Sequence, residues 1–197
     1  ILRTVDGEYE SMVQRVYRQI RSVDRDAAVT IATSKTQVSA IHNQLGNGAG
    51  ICVEPCRRDT FPAIALVAAW LHDVKKVSED EPVVICPVDP YVDEDYFQAV
   101  GELGRLAGEG SSNLVLMGIE PTYPSEKYGY VIPEDENKLS RVKTFKEKPD
   151  LEGAKKYISQ GALWNGGVFA FRLGYLLKKA HELIKFSDYW DLYAGYE

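Results

Sequence analysis

The chain has 197 residues, 45% of them hydrophobic and 26% charged, which suffices for one sizeable domain with a buried core. A formal net charge of -6 excludes the basic stripe of a general nucleic-acid binder, yet a few placed cations would still serve a phosphate. No apolar run approaches the ~18–20 residues of a bilayer span, and no charged start leads into a short apolar segment.

Helix and strand signals alternate along the first 119 residues. "ESMVQRVYRQIRSV" (10–23) carries Met12, Val13, Val16, Tyr17, Ile20 and Val23 at helical spacing. "AAVTIAT" (27–33) reads as a buried strand, and Ser34 with Gln37 gives a capping-box signature for a helix to about Leu45. "AGICVEP" (49–55) is a second strand. "TFPAIALVAAWLHDVKKV" (60–77) is a largely apolar helix capped by Asp59 or Thr60, with Pro62 tolerated in its first turn. "PVVICPV" (82–88), "DEDYFQAVGELGRLA" (93–107) and "SNLVLMGI" (112–119) read as strand, helix and strand. From residue 120 the pattern turns β-rich: an aromatic strand at 128–133, a strand ending "FKEKPD", a helix closed by Gly161, the strand "ALWNGGVFAFRL" and an amphipathic helix "YLLKKAHELIKFSDYWDLY". Apolar strands separated by helices predict an α/β fold with a Rossmann-like, mostly parallel mixed sheet covered on both faces. Ligands sit at the carboxyl ends of strands in such sheets.

Several polar residues fall where that rule points. Asp89 follows an apolar strand, a position suited to a hard oxygen ligand for Mg²⁺ or to a turn before Pro90. In "EPCRRDTFPAIA" (54–65), Arg57, Arg58 and Asp59 precede a helix N-terminus, suited to an anion or the polar edge of a base, or simply to solvated charge. Gly129 lies between tyrosines in a strand, where either a close backbone approach or a bulge calls for glycine. Lys148 offers a point charge for a phosphate and Glu147 an acceptor for sugar hydroxyls, or the two simply form a charged strand end. Asn165 can donate and accept at once, and the glycines after it leave room for a ring. Cys52, Cys56 and Cys86 form no disulfide or zinc pattern and read as buried free thiols, with a redox or metal role left open; His42, His72 and His181 show no ligand spacing.

Taken in order, "SMVQRVYRQI", "VEPCRRDTFPAIALVAA", "VICPVDPYVDEDYF", "GIEPTYPSEKYGYVIP", "VKTFKEKPD" and "GALWNGGVFAF" resemble the motifs of bacterial mannose-1-phosphate guanylyltransferases, within the sugar-phosphate nucleotidyltransferases. The resemblance covers nearly the whole chain and implies a single domain over 1–197, with a nucleotide-binding half (1–119) and a sugar-phosphate-binding half (120–197). It implies that Asp89 is a catalytic residue and a ligand of Mg²⁺. Glu54, Pro55, Arg58 and Thr60 would lie against the base of the nucleotide. Gly129, Glu147 and Asn165 would hold the sugar, and Lys148, also catalytic, its phosphate. The implied partners are GTP and mannose-1-phosphate, with no nucleic acid or membrane and with a homodimer left open; the implied compartment is the cytoplasm.

Departures from the family pattern are Asp59 for asparagine, Phe61 for alanine, Pro90 for histidine and Gly166 for serine. The family's glycine-rich Gly-x-Gly-x-Arg loop, with its lysine, is not among these residues, and its place would be just before Ile1. A second metal-binding aspartate is not evident, since "SDYWDLY" does not match it. The chain is therefore expected to be an internal piece of a longer enzyme, inactive alone. Two alternatives stand beside that reading. One is a nucleotidyltransferase for another NTP and hexose-1-phosphate; the other is a non-catalytic regulatory subunit that keeps the sugar pocket.

Overall fold

The computed structural model describes residues 2, 3 and 7–196. Ile1, before which the glycine-rich loop is expected, and residues 4–6 lie outside the described residues. The chain divides into two compact units. One comprises the residues up to Val115 together with those from Ala170; the other is Leu116–Phe169.

The first unit begins with the short antiparallel pair β1 (Leu2–Arg3) and β2 (Tyr9–Glu10). Helix α1 (Met12–Val23) follows. Ser11 and Gln14 form its capping box: Gln14 N donates to Ser11 Oγ at 3.2 Å, and Ser11 N to Gln14 Oε1 at 2.9 Å. Such a cap contributes about 1 kcal/mol. The similar signature at Ser34 and Gln37 does not form a cap. Lys35–Gln37 is a 3₁₀ turn, and Ser34 Oγ pairs with Thr36 Oγ1 instead, at 2.9 Å. Between these helical starts, β3 (Thr30–Ser34) pairs in parallel with β4 (Gly50–Glu54), with α2 (Val38–Leu45) as the crossover.

Helix α3 (Thr60–Ala69) buries Ala65 to Ala69 without a polar face, as a core helix must. The expected helix to Val77 ends earlier as an α-helix, because Trp70–Val74 widens into a π turn closed by Lys75 N donating to Trp70 O at 3.1 Å. β5 (Pro82–Ile85) stops three residues short of the expected Val88, and α4 (Glu94–Glu109) packs on it with Gly104 against Val84. The last expected helix is two: α6 (Leu173–Leu183) and α7 (Tyr189–Ala194), the second capped by Asp188, whose side chain accepts from Asp191 N at 2.9 Å. Cys52, Ala65, Leu66, Val67, Ala69, Trp70, Ala180, Tyr189, Leu192 and Tyr196 form one core cluster, so α3, α6 and α7 pack around the end of β4.

The second unit holds β6 (Val115–Ile119) from Leu116 onward, β7 (Tyr130–Pro133), β8 (Val142–Lys146), α5 (Leu151–Ser159) and β9 (Leu163–Arg172) as far as Phe169. Its strand order is β8-β7-β9-β6, and β7 is antiparallel to both neighbours. The α/β class and the mixed pairing are thus as expected, with parallel pairing at β3–β4 and antiparallel pairing here. α5 begins on Asp150, whose side chain accepts from Gly153 N at 2.8 Å, and lays Tyr157 and Ile158 on a core of Tyr130, Ile132, Ala154 and Ala162. The phenol of fully buried Tyr130 accepts from Ser125 N at 2.8 Å and donates to Ser125 O at 2.9 Å, fixing the loop before β7. Among the described residues, no helix is long and apolar enough to cross a membrane.

Candidate active site

The β-sheet register of the second unit brings four of the expected residues together. Tyr130 pairs with Lys146 on β8 and with Trp164 on β9. Stepping one residue beyond each antiparallel pair sets Gly129 opposite Glu147 on one side and Asn165 on the other. The second juxtaposition is a main-chain bond: Asn165 N donates to Gly129 O at 2.8 Å. Lys148 lies next along, with Nζ 3.3 Å from Glu147 Oε1 and both side chains largely exposed. Its φ of 40° is in the left-handed region, immediately before Pro149. A non-glycine residue held there costs on the order of 1–3 kcal/mol, a strain that tends to persist at ligand clamps and active sites.

Asn165 is committed in part. Its Oδ1 accepts from Gly167 N at 3.2 Å, a turn made possible by the positive φ of 69° at Gly167. Its Nδ2 has no hydrogen-bond partner among the described residues, so the amide offers a ligand donors first. Beside it stands an aromatic cluster that sequence reading missed. The Trp164 ring lies 5.1 Å from Tyr123 and 4.9 Å from Tyr128, centroid to centroid, and its buried Nε1 has no hydrogen-bond partner among the described residues. Their spacing in "PTYPSEKYGY" follows no period; the cluster forms because the loop held by Ser125 folds back on β9. Carboxylate, amide, ammonium and aromatic edges together suit a hydroxylated ring that carries an anion.

The remaining expected residues belong to the first unit. Glu54 ends β4, half-buried Pro55 follows, and exposed Arg58 and Thr60 lead into α3, where Asp59 Oδ1 accepts from Thr60 N at 3.1 Å. Glu54 Oε1 accepts from Arg58 N at 3.4 Å and from the phenol of Tyr196 at 2.6 Å. Thus the structure places Glu54, Pro55, Arg58 and Thr60 on one short loop at a helix start, where Glu54 and Asp59 already take the N–H groups of Arg58 and Thr60.

Asp89 lies in the loop after β5, exposed and without a hydrogen bond or ion pair among the described residues. Burial, with the charges of Cys86 and Asp89 adding to it, pushes the Tyr96 phenol up to about 12. The Asp89 loop is pinned from α1. Val92 O accepts from Arg15 Nη2 at 2.8 Å and from Gln19 Nε2 at 3.1 Å, and the Arg15 guanidinium lies 4.4 Å from the Tyr91 ring centroid. Glu10 completes the arrangement, taking two bonds from Arg18 and an ion pair at 3.7 Å from Arg15. Helical spacing in α1 picks out its apolar residues, whereas Gln19, a polar residue only 3% exposed, shows its role only through its bond to Val92 O. Among the described residues, no group of three or more His, Cys, Asp or Glu could hold a metal ion. One exposed carboxylate nevertheless fits Mg²⁺, which is commonly held by one or two carboxylates with phosphate oxygens and water completing the shell.

A model of the Nucleotidyl transferase family matches residues 3–193. The chain is 34% identical over 186 residues to the xanthan biosynthesis protein XanB of Xanthomonas campestris pv. campestris (strain B100), covering 92% of this chain and 38% of that protein. It is 32% identical over 181 residues to a mannose-1-phosphate guanylyltransferase of Escherichia coli (strain K12), covering 86% and 37%. The chain therefore spans less than two-fifths of the length of these curated relatives. Among solved structures, it superposes on one described as a mannose-1-phosphate geranyltransferase from Thermus thermophilus, with a TM-score of 0.76, 26% identity and coverage of 97% of this chain and 58% of that one. The resemblance carried by the ordered motifs is borne out by these matches.

Proposed function

We propose that this chain, which belongs to the Nucleotidyl transferase family, is part of a protein that transfers a guanylyl group from GTP to mannose-1-phosphate, giving GDP-mannose and pyrophosphate. The observation that carries the reading is the register that seats Gly129 between Glu147 and Asn165, with Lys148 alongside. In this account Glu147 accepts from sugar hydroxyls, the Asn165 amide donates to one, and the Lys148 ammonium neutralises the sugar phosphate. An oxygen of that phosphate attacks the α-phosphorus of GTP; the new O–P bond forms as the bond to the β-phosphate oxygen breaks, and pyrophosphate leaves. Such a transfer needs positioning and charge neutralisation rather than a covalent enzyme intermediate. Asp89 would hold Mg²⁺, which supplies further neutralisation of phosphate charge when bound. Glu54, Pro55, Arg58 and Thr60 would lie against the base.

The proposed division of labour assigns the nucleotide to residues 1–119 and the sugar phosphate to 120–197; Gly129, Glu147, Lys148 and Asn165 all lie in the second unit. The proposed compartment is the cytoplasm. A second reading keeps the chemistry and changes the base, and it draws on Asp59 and Phe61, which depart from the family pattern inside the base loop. The test is pyrophosphate release by the whole protein with mannose-1-phosphate and each of the four NTPs. GTP should support the fastest turnover. A strong preference for UTP or dTTP would replace the guanylyl assignment with the second reading, and no release with any NTP would remove both.

A further inference from the structure

We propose that Tyr196 is a positioning residue that sets the loop Glu54–Arg58 for base selection; the inference rests on the reading of that loop as the base-binding segment. "SDYWDLYAGY" (187–196) is the stretch that the family motifs leave without a role. The structure gives it a defined place. Helix α7 is held at its start by two carboxylates: Asp188 Oδ1 accepts from Asp191 N at 2.9 Å, and Asp73 Oδ2 accepts from Tyr189 N at 2.7 Å. Its apolar side, Tyr189, Leu192 and then Tyr196, packs among Cys52 of β4 and Ala65, Leu66 and Ala69 of α3. β4 and α3 are the two elements that flank the loop, so α7 is fixed to both supports.

From that seat Tyr196, 6% exposed, reaches three alternate residues of the loop. Its phenol donates to Glu54 Oε1 at 2.6 Å, and its carbonyl accepts from Arg58 Nε at 3.1 Å and from Cys56 Sγ at 3.6 Å. Burial, followed by the bond to Glu54, raises the phenol well above the ordinary tyrosine range, so it stays a donor through neutral pH. One oxygen of Glu54 and one nitrogen of Arg58 are thereby fixed. Glu54 Oε2 and the two Nη groups of Arg58 have no hydrogen-bond partner among the described residues. An anchored acceptor and anchored donors on one loop can tell a base with adjacent N–H donors and carbonyl acceptors from one lacking them. Such discrimination is steep only when the protein groups cannot rearrange to suit the wrong base.

The experiment uses Tyr196→Phe in the whole protein, which removes one hydroxyl and keeps the ring and the carbonyl. With mannose-1-phosphate saturating, KM for GTP should rise about tenfold, the worth of one hydrogen bond to a charged group. The ratio of kcat/KM for GTP to that for ATP should fall in step. The KM for mannose-1-phosphate should stay within about twofold, since its residues lie on other strands. In a Glu54→Gln background, Tyr196→Phe should add little, because both changes weaken the same bond. Unchanged nucleotide KM and base preference in Tyr196→Phe, full additivity with Glu54→Gln, or a variant that fails to fold by circular dichroism would each overturn the proposal. Wild-type protein that does not distinguish the four NTPs would instead remove the base-loop reading itself, and the role of Tyr196 with it.

Discussion

A methyl group placed on Gly129 would stand 2.8 Å from Oε2 of Glu147 and 2.6 Å from the Phe145 ring. Real Cβ atoms do not tolerate such distances, so the missing side chain at Gly129 lets the Glu147 carboxylate lie across the strand end. Gly129→Ala should displace Glu147 and Phe145 together, and because both side chains are exposed and free to move, it should cost less than about 1 kcal/mol of stability. If Glu147 binds sugar hydroxyls, the KM for mannose-1-phosphate should rise about tenfold or more while the KM for GTP holds. Steady-state kinetics in the two substrates separates these outcomes; a change confined to GTP would contradict the assignment.

Lys148 combines a charge with a strained backbone, and two substitutions separate them. Lys148→Ala and Lys148→Gly should weaken sugar-phosphate binding alike, because both remove the ammonium. Glycine relieves the φ of 40°, so the Gly variant should be more stable than the Ala variant by about 1 kcal/mol in chemical denaturation. Equal stabilities would show that the backbone at Lys148 carries no strain.

Asp89 is exposed and holds no partner among the described residues, so its carboxylate contributes little to folding. Asp89→Asn should lower kcat by orders of magnitude while leaving the thermal midpoint unchanged, since it removes metal charge rather than packing. Near-normal turnover at ordinary Mg²⁺ concentration would rule out the metal role.

The loop carrying Asp89 is tied to α1 through charges that titrate. The bonds from Arg18, with Arg15 adding its charge, hold the Glu10 carboxyl below its usual value of 4.5. A lowered folded pKa gives stability that is present above the unfolded value and lost as pH falls through the folded one. Thermal midpoints should therefore drop as pH falls below the ordinary carboxylate range, and Glu10→Gln should flatten that part of the profile. An unchanged acid limb in Glu10→Gln would contradict the linkage.

Burial pushes the Cys52 thiol up to about 12, with the Glu54 charge adding to it, and burial also raises Cys86. Thiolate is the reacting form, so native protein at pH near 8 should leave both cysteines unmodified by iodoacetamide over times that label an unfolded chain fully. Peptide mapping would detect early labelling of Cys52, which would contradict its place in the core.

The candidate site of the second unit was legible because the residues that suggest it stand close together in sequence. A glycine between tyrosines and a Trp-Asn-Gly-Gly run inside an apolar strand both conflict with core building, and both mark residues that the register then joins. The loop at Glu54–Thr60 was legible for the same reason, as polar residues at a helix start. What stayed hidden is held by acceptors without a sequence signature. The Val92 carbonyl that Arg15 bonds is 77 residues away, and the Glu54 carboxylate that Tyr196 bonds is 142 residues away. The break between α6 and α7 was missed because the apolar spacing continues through it, while Asp188 and Asp73 capture the new helix start. Ser34 shows the converse: a signature was present, but a nearer hydroxyl, Thr36, took the bond.

Whether the ends of β7, β8 and β9 form a sugar-phosphate site is decided by a crystal structure of the protein with mannose-1-phosphate bound. Sugar hydroxyls should lie within hydrogen-bond distance of the Glu147 carboxylate and the Asn165 amide, with the ring against Gly129 and the phosphate at Lys148 Nζ. Density for the sugar anywhere away from these strand ends would contradict this placement.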